Sequence, residues 1–248
     1  MILILTVLAA VPSPSPAPTP GPAQDPCSSG GHAAILAAID RPTLGFSACP
    51  IAWHDVLLEA GAQFNTGAAT QTQLGQSIWR YGAAPRLEID AIGPTYVNLQ
   101  GPGSGYADAG AGAKWQFFRG GASMAAVDAL FTVPSGAAAV TAGIPTQTLN
   151  LDYGTSSGNF GLGATAAFTH ANPSVDIFTT ALTNQFNQRT QWYAEGIRQF
   201  GAAGAASGGD AGLQYLLTDA IEIDAEAGAL NGRSGTTRWT GFGFALRF

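Results

Sequence analysis

Charge is what this sequence has least of. Only 10% of its 248 residues are charged, against about 25% in an ordinary soluble domain, and Lys114 is the single lysine. Apolar residues stand at an unremarkable 46%, so what is missing is the polar coat that keeps a surface in water. A net charge of −6 offers no basic patch to release counterions from phosphates, which argues against nucleic acid as a partner. Long apolar runs are scarce too. None after residue 11 nears the roughly 20 residues that a membrane-spanning helix needs. A low-charge secreted protein and a lipid-facing barrel both remain. A chain of this kind in a membrane must close its sheet, because an open edge would leave backbone groups unpaired in hydrocarbon.

Cysteine and histidine are nearly absent as well. Cys27 and Cys49 are the two cysteines, and His32, His54 and His170 the three histidines. The cysteine spacing is too long for a CxxC motif and the histidines lack partner ligands, so neither a metal nor a cofactor is expected. In an exported chain Cys27 and Cys49 either close a disulfide loop or remain two free thiols. Nucleophilic catalysis needs a Ser or Cys beside a base and an orienting group. There is no GxSxG, and His170 reads as a loop residue beside Asn172 and Pro173. An enzyme is not expected, a lipid-acting barrel hydrolase being the least favoured of three readings.

What is present divides the chain into three. Residues 1–23 begin with an apolar stretch, MILILTVLAAV, and read as a secretory signal peptide without its usual basic start. Cleavage after Ala9, Ala10 or Ala23 satisfies the small-residue rule, and a buried N-terminal strand is the other reading. Residues 24–55 form a Pro- and Gly-rich periplasmic segment, with one helical candidate at residues 33–39, periplasmic or plugging. The Pro-alternating stretch 12–26 reads as an extended linker. Residues 56–248 carry about twelve segments of roughly ten residues, separated by Gly, Pro, Ser and Asn clusters, the pattern of an antiparallel up-and-down transmembrane β-barrel.

The best of these segments alternate with period two. Between residues 56 and 64 the apolar face is Val56, Leu58, Ala60, Ala62 and Phe64, with Leu57 the exception opposite Glu59. Residues 86–92 set Leu87, Ile89 and Ala91 against Arg86, Glu88 and Asp90. Residues 221–230 set Ile221 and Ile223 against Glu222, Asp224 and Glu226. Segments 175–186 and 191–200 do not sort cleanly by face. Trp79, Tyr81, Trp115, Phe117, Trp192, Tyr193 and Trp239 gather near strand ends, as interface girdles do. A soluble sandwich would alternate also, but would not keep one face so free of charge.

The polar face supplies the candidate site. Glu59, Arg86, Glu88, Asp90, Asp108, Lys114, Asp128, Asp152, Glu222, Asp224 and Glu226 are predicted to point into the lumen. Nine carboxylates against two cations, with Glu222, Asp224 and Glu226 forming a stripe, predict that a conducting lumen favours cations or neutral solutes over anions. The same network could instead simply fill a narrow lumen. At the C-terminus Phe242, Phe244, Leu246 and Phe248 share one face. A closing strand that ends on Phe resembles those recognised by the barrel-assembly machinery, so that machinery and outer-membrane lipid are the expected partners.

Several stretches resemble a Gram-negative outer-membrane family named for the meta-cleavage pathway of phenol degradation, often labelled simply "transporter". They are Asp40-Arg41-Pro42-Thr43, Ser47-Ala48-Cys49-Pro50 and His54-Asp55-Val56-Leu57-Leu58-Glu59-Ala60-Gly61 near the start. Leu151-Asp152-Tyr153-Gly154 lies mid-chain, and Asp210-Ala211-Gly212-Leu213-Gln214-Tyr215-Leu216-Leu217-Thr218 and Leu246-Arg247-Phe248 lie near the end. The resemblance runs from about Asp40 to Phe248 and departs at residues 79–90 and 136–143. It implies an outer-membrane barrel that passes or binds small solutes, aromatic ones among them, with no catalytic residues. A closed structural or anchoring barrel is the alternative.

Overall fold

The computed structural model describes Cys27 and residues 33–41, 43–68, 70–99, 103–202 and 204–248. The signal-peptide and linker readings, and His32, lie outside the described residues. One short helix, α1 (Ala33–Ala38), precedes fifteen strand segments. These are β1 (Val56–Gly67), β2 (Gln71–Leu74), β3 (Ile78–Ala84), β4 (Leu87–Ile92), β5 (Tyr96–Leu99), β6 (Gly103–Tyr106), β7 (Gly110–Gly120) and β8 (Ser123–Thr132). There follow β9 (Thr146–Ser157), β10 (Phe160–His170), β11 (Val175–Asn187), β12 (Thr190–Gly201), β13 (Ala206–Thr218), β14 (Ile221–Gly232) and β15 (Gly235–Arg247). Twelve of them, β1, β3, β4 and β7 to β15, form a closed antiparallel ring, because β15 pairs back onto β1 from Leu57↔Arg247 to Gly67↔Thr237. The expectation of about twelve strands holds.

The other three segments are continuations. β2 and β3 both pair with β1, and β5 and β6 extend β4 and β7 past breaks at residues 75–77, 93–95 and 107–109. Stretches 73–81 and 106–117 are therefore each broken. Gly75, at φ 95°, supplies a backbone turn that residues with a Cβ rarely adopt. The outer edge of β6 meets the longest inter-strand connection, residues 133–145, through Ala137 N–H to Tyr106 O at 2.8 Å.

The two ends differ. Where β1 begins and β15 ends, hairpins β3–β4, β7–β8, β9–β10, β11–β12 and β13–β14 turn in two residues each. The long connection lies at the opposite end. Around the outside, Ile89, Leu149, Leu151, Leu162, Leu182, Leu213 and Ile223 are exposed to the surroundings. Aromatic rings rim this belt: Phe168, Phe178 and Phe200 meet edge-on in a row on β10, β11 and β12, and Trp79 stacks on Phe248. Tyr193 and Trp239, expected in the girdles, instead point inward and are buried. Strand parity puts them on the same face as Glu195 and Gly241, and the lumen has room for large rings where its wall carries glycine. Gly228 lies under Trp239, so closely that a Cβ there would sit 2.3 Å from the ring. No described helix is long and apolar enough to cross a membrane; the crossing is made by strands.

Candidate functional site: the filled lumen

A barrel of this size could be hollow. This one holds the chain's own residues 35–41 and 43–51. Ile35, Leu36, Ile39 and Ile51 are buried against Leu57, Met124, Ala126, Leu216 and Ala245, inward residues at the short-turn end. Leu57, the exception to its strand's alternation, thus has a physical reason: it lies beneath α1. Leu216 and Ala126 have no exposed surface for the same reason. The structure joins Cys27 to Cys49, at the edge of this core.

Beyond the helix the segment loses its regular structure, and its backbone N–H groups must find acceptors elsewhere. Lumen carboxylates provide them. Glu59 accepts from Asp40 N–H at 3.1 Å and Arg41 N–H at 2.9 Å. Glu88 accepts from Ile51 N–H at 2.7 Å. Glu195 accepts from two consecutive N–H groups, Leu44 and Gly45, at 2.9 Å each. Gln116 and Gln214 donate to the carbonyls of Ala48 and Arg41, both at 2.9 Å.

The lumen's buried cations are paired with carboxylates. Arg80, with no exposed surface, bridges the two buried carboxylates. It pairs with Glu88 through Nε at 2.7 Å and Nη2 at 3.0 Å, and its Nη1 reaches Glu59 and the Ala38 carbonyl. Lys114, equally buried, grips both oxygens of Asp40 at 3.0 and 2.8 Å. Asp40 in turn accepts from Ser47 N–H at 2.7 Å. Arg41 reaches Gln76 at 2.9 Å and lies 3.7 Å from Asp224. Buried ions persist only when paired and hydrogen-bonded, and here each cation has at least one carboxylate.

Of the predicted lumen residues, Glu59, Glu88, Asp90, Lys114, Asp128, Asp152, Glu222 and Asp224 are buried on inward positions, and Glu226 is half-buried beside them. Two predicted positions are elsewhere. Arg86 is exposed in the two-residue turn after β3, at φ 69°, where strand parity no longer governs direction. Asp108 sits in the β6–β7 break, past the level of Phe131. It binds the long connection, taking hydrogen bonds from Gly136 N–H at 2.8 Å, Thr141 Oγ1 at 2.7 Å and Ala142 N–H at 3.0 Å. Burial opposes its charge, but the bonds from Thr141, Gly136 and Ala142 outweigh that and hold its carboxyl below the usual range. Sequence reasoning missed Arg80, Asp40, Arg41, Glu195 and Asp210. Arg80 was recoverable, since Trp79 and Tyr81 flank it as outward aromatics. His54 and His170 are on the rim, His54 stacked on Trp53.

The lumen is not filled evenly. Between residues 36–49 and the wall of β9 to β12 lies a cavity of about 750 Å³. It reaches the short-turn end at Gly158 and Asn159 and stops inside at Thr165, Thr179 and Glu195. Its inner lining mixes Leu36, Phe46 and Met124 with Thr183, Gln185, Gln191 and Gln214. Glu195 is the one carboxyl-bearing side chain on the inward face of β10, β11 and β12.

No protein-family profile matches the sequence, and neither does any curated protein sequence. Solved structures do match the fold. An outer-membrane channel from Pseudomonas putida F1 aligns at TM-score 0.62 with 11% identity, over 80% of this chain and 97% of that one. The KdgM porin in complex with disordered oligogalacturonate aligns at 0.60 with 9% identity, over 77% and 99%. The NanC porin aligns at 0.59 with 11% identity, over 76% and 98%. The chain has the fold of an outer-membrane porin barrel. With its closed sheet and apolar belt, the protein is placed in the cell outer membrane.

Proposed function

We propose that this barrel passes small solutes across the outer membrane, along a route beside its own lumen segment. The observation that carries the reading is the cavity of about 750 Å³ between that segment and the β9–β12 wall. A barrel whose role was purely structural would have no need to leave one side of its lumen open. Short turns face the periplasm in barrels of this type, which puts the cavity mouth on the periplasmic side. The porin fold of the structural neighbours supports the same reading.

The lining favours solutes that join an apolar ring or chain to hydrogen-bonding groups, in keeping with the resemblance to the phenol-degradation family. Phe46 and Leu36 supply apolar contact, while Thr183, Gln185 and Gln191 supply donors and acceptors. Carboxylates outnumber cations in the lumen, where Arg41, Arg80 and Lys114 are each held beside a carboxylate. Their field disfavours anions. Neither oxygen of Glu222 takes a protein hydrogen bond, whereas Glu226 on the same stripe accepts from Tyr193 Oη.

The buried Arg80–Glu59–Glu88 network favours a second reading, a closed anchoring barrel. Reconstitution in planar bilayers separates the two. The channel reading predicts intermittent conductance steps with a cation-selective reversal potential, reduced in the triple variant E222Q/D224N/E226Q. A folded, heat-modifiable barrel that gives no steps would establish the closed barrel instead.

A further inference from the structure

The inner end of the cavity is built as a binding site, and the chain itself occupies it. Three wall residues converge there: Thr165 on β10, Thr179 on β11 and Glu195 on β12, all buried. Into them the loop at residues 43–46 inserts Gly45, so tightly that a Cβ would lie 2.4 Å from Thr179 Oγ1 and 2.8 Å from Glu195 Oε1. Both Glu195 oxygens are taken, by the Leu44 and Gly45 N–H groups at 2.9 Å. Thr165 Oγ1 accepts Phe46 N–H at 2.9 Å and donates to Asp152 at 2.8 Å. A buried carboxylate between two hydroxyls, gripping two adjacent N–H donors, has the chemistry of an ammonium or amide receptor.

We propose that Thr165, Thr179 and Glu195 form a solute-binding and gating site for compounds bearing N–H donors, primary ammonium groups above all, for which the Leu44–Gly45 backbone is a built-in stand-in. This rests on the channel reading. Two states follow. In the latched state the loop holds Glu195 and closes the inner end of the cavity. In the released state Glu195 and the two threonines face the route, and a solute with N–H donors binds them. Such a solute binds only the released state and so shifts the population toward it. A cation without N–H has the same charge but cannot replace the two donors that Glu195 gives up. An anion meets an uncompensated carboxylate and is turned away.

The full chain in planar bilayers provides the test, with ethylammonium and tetramethylammonium as probes added on the cavity side. In the parent, ethylammonium is expected to raise open probability about tenfold, the factor carried by one charge-assisted hydrogen bond. Tetramethylammonium at equal concentration is expected to leave it unchanged. G45A, whose methyl group would push the Thr179 and Glu195 oxygens away from the loop, should open without any solute and respond to ethylammonium at lower concentration. E195Q keeps the shape but replaces one acceptor with a donor, so it should open more at rest and lose the ethylammonium response. Conducting channels in which E195Q responds as the parent does, or in which G45A stays as closed as the parent, overturn this site while leaving the channel reading intact. Heat-modifiable barrels silent in all three forms overturn the channel reading and the site together.

Discussion

The two sides of this lumen are walled by the same kind of sheet and solve different problems. The side made by β1, β3, β4, β7 and β14 is ionic, and its Glu59, Glu88, Lys114 and Arg80 are locked onto residues 38–51 with no exposed surface. The side made by β10, β11 and β12 presents threonine, glutamine, alanine and glycine with one carboxylate, and leaves a cavity. An ion-paired wall tolerates no loss of a partner, so it anchors. The other wall holds the segment by hydrogen bonds alone, with no ion pair to break, so it can release them. Each is worth about 1 kcal/mol net where neutral and about 1.5–3 kcal/mol where made to Glu195. Anchoring on one side and release on the other is what a movable segment inside a fixed barrel requires.

The comparison breaks most readily at Arg80. R80M strands Glu59 and Glu88 as buried carboxylates facing each other, and is expected to destabilise the barrel by roughly 3–5 kcal/mol. Urea unfolding in detergent, followed by the heat-modifiability shift, reads this out. A loss under about 1 kcal/mol would show the ionic side to be solvated and not an anchor. Next comes the lipid face. Leu151 lies mid-strand on β9, outward and 47% exposed, and L151R should cost about 2–4 kcal/mol in a bilayer. Neutrality there would mean that the belt does not face hydrocarbon.

The neutral side should yield less. T165A removes the acceptor of Phe46 N–H and the donor to Asp152, and a loss of about 1 kcal/mol is expected. It should also speed proteolysis of residues 43–46 without loosening α1. Equal release of helix and loop would erase the distinction between the two sides. The smallest effect lies outside the membrane. Asp108 has its pKa lowered in the folded state. Its stabilisation is therefore fully present above the ordinary carboxylate value and is lost as pH falls through the lowered folded value. Protease cleavage within residues 133–145 should accelerate on acidification across that range in the parent. In D108N it should be fast at every pH.

How far the sequence could be read followed from where each partner lies. Alternation in β1, β4 and β14 is local, so Glu59, Glu88 and Asp224 could be assigned a face from their neighbours alone. The break at residues 75–77 disturbed that count, and Arg80 was missed although Trp79 and Tyr81 bracket it. Counting back one residue before the start of β4 drew in Arg86, which lies exposed in the turn. On β12 the inward face carries Tyr193 and Ile197 beside Glu195, so hydrophobicity could not sort it. The segment itself was least legible. Its N–H partners on the barrel wall are 18 to 151 residues away in sequence, and no local pattern records contacts of that range.

Amide hydrogen exchange on the full chain in detergent, resolved to residues 38–51, tests most directly whether the barrel holds this segment. Protection of the Arg41, Leu44, Gly45, Phe46 and Ile51 amides is expected, with Arg41 and Ile51 exchanging as slowly as the strands they face and Leu44, Gly45 and Phe46 faster but still protected. Exchange of all five at the rate of an unstructured peptide would contradict a segment seated in the lumen, and the anchored and releasable sides with it.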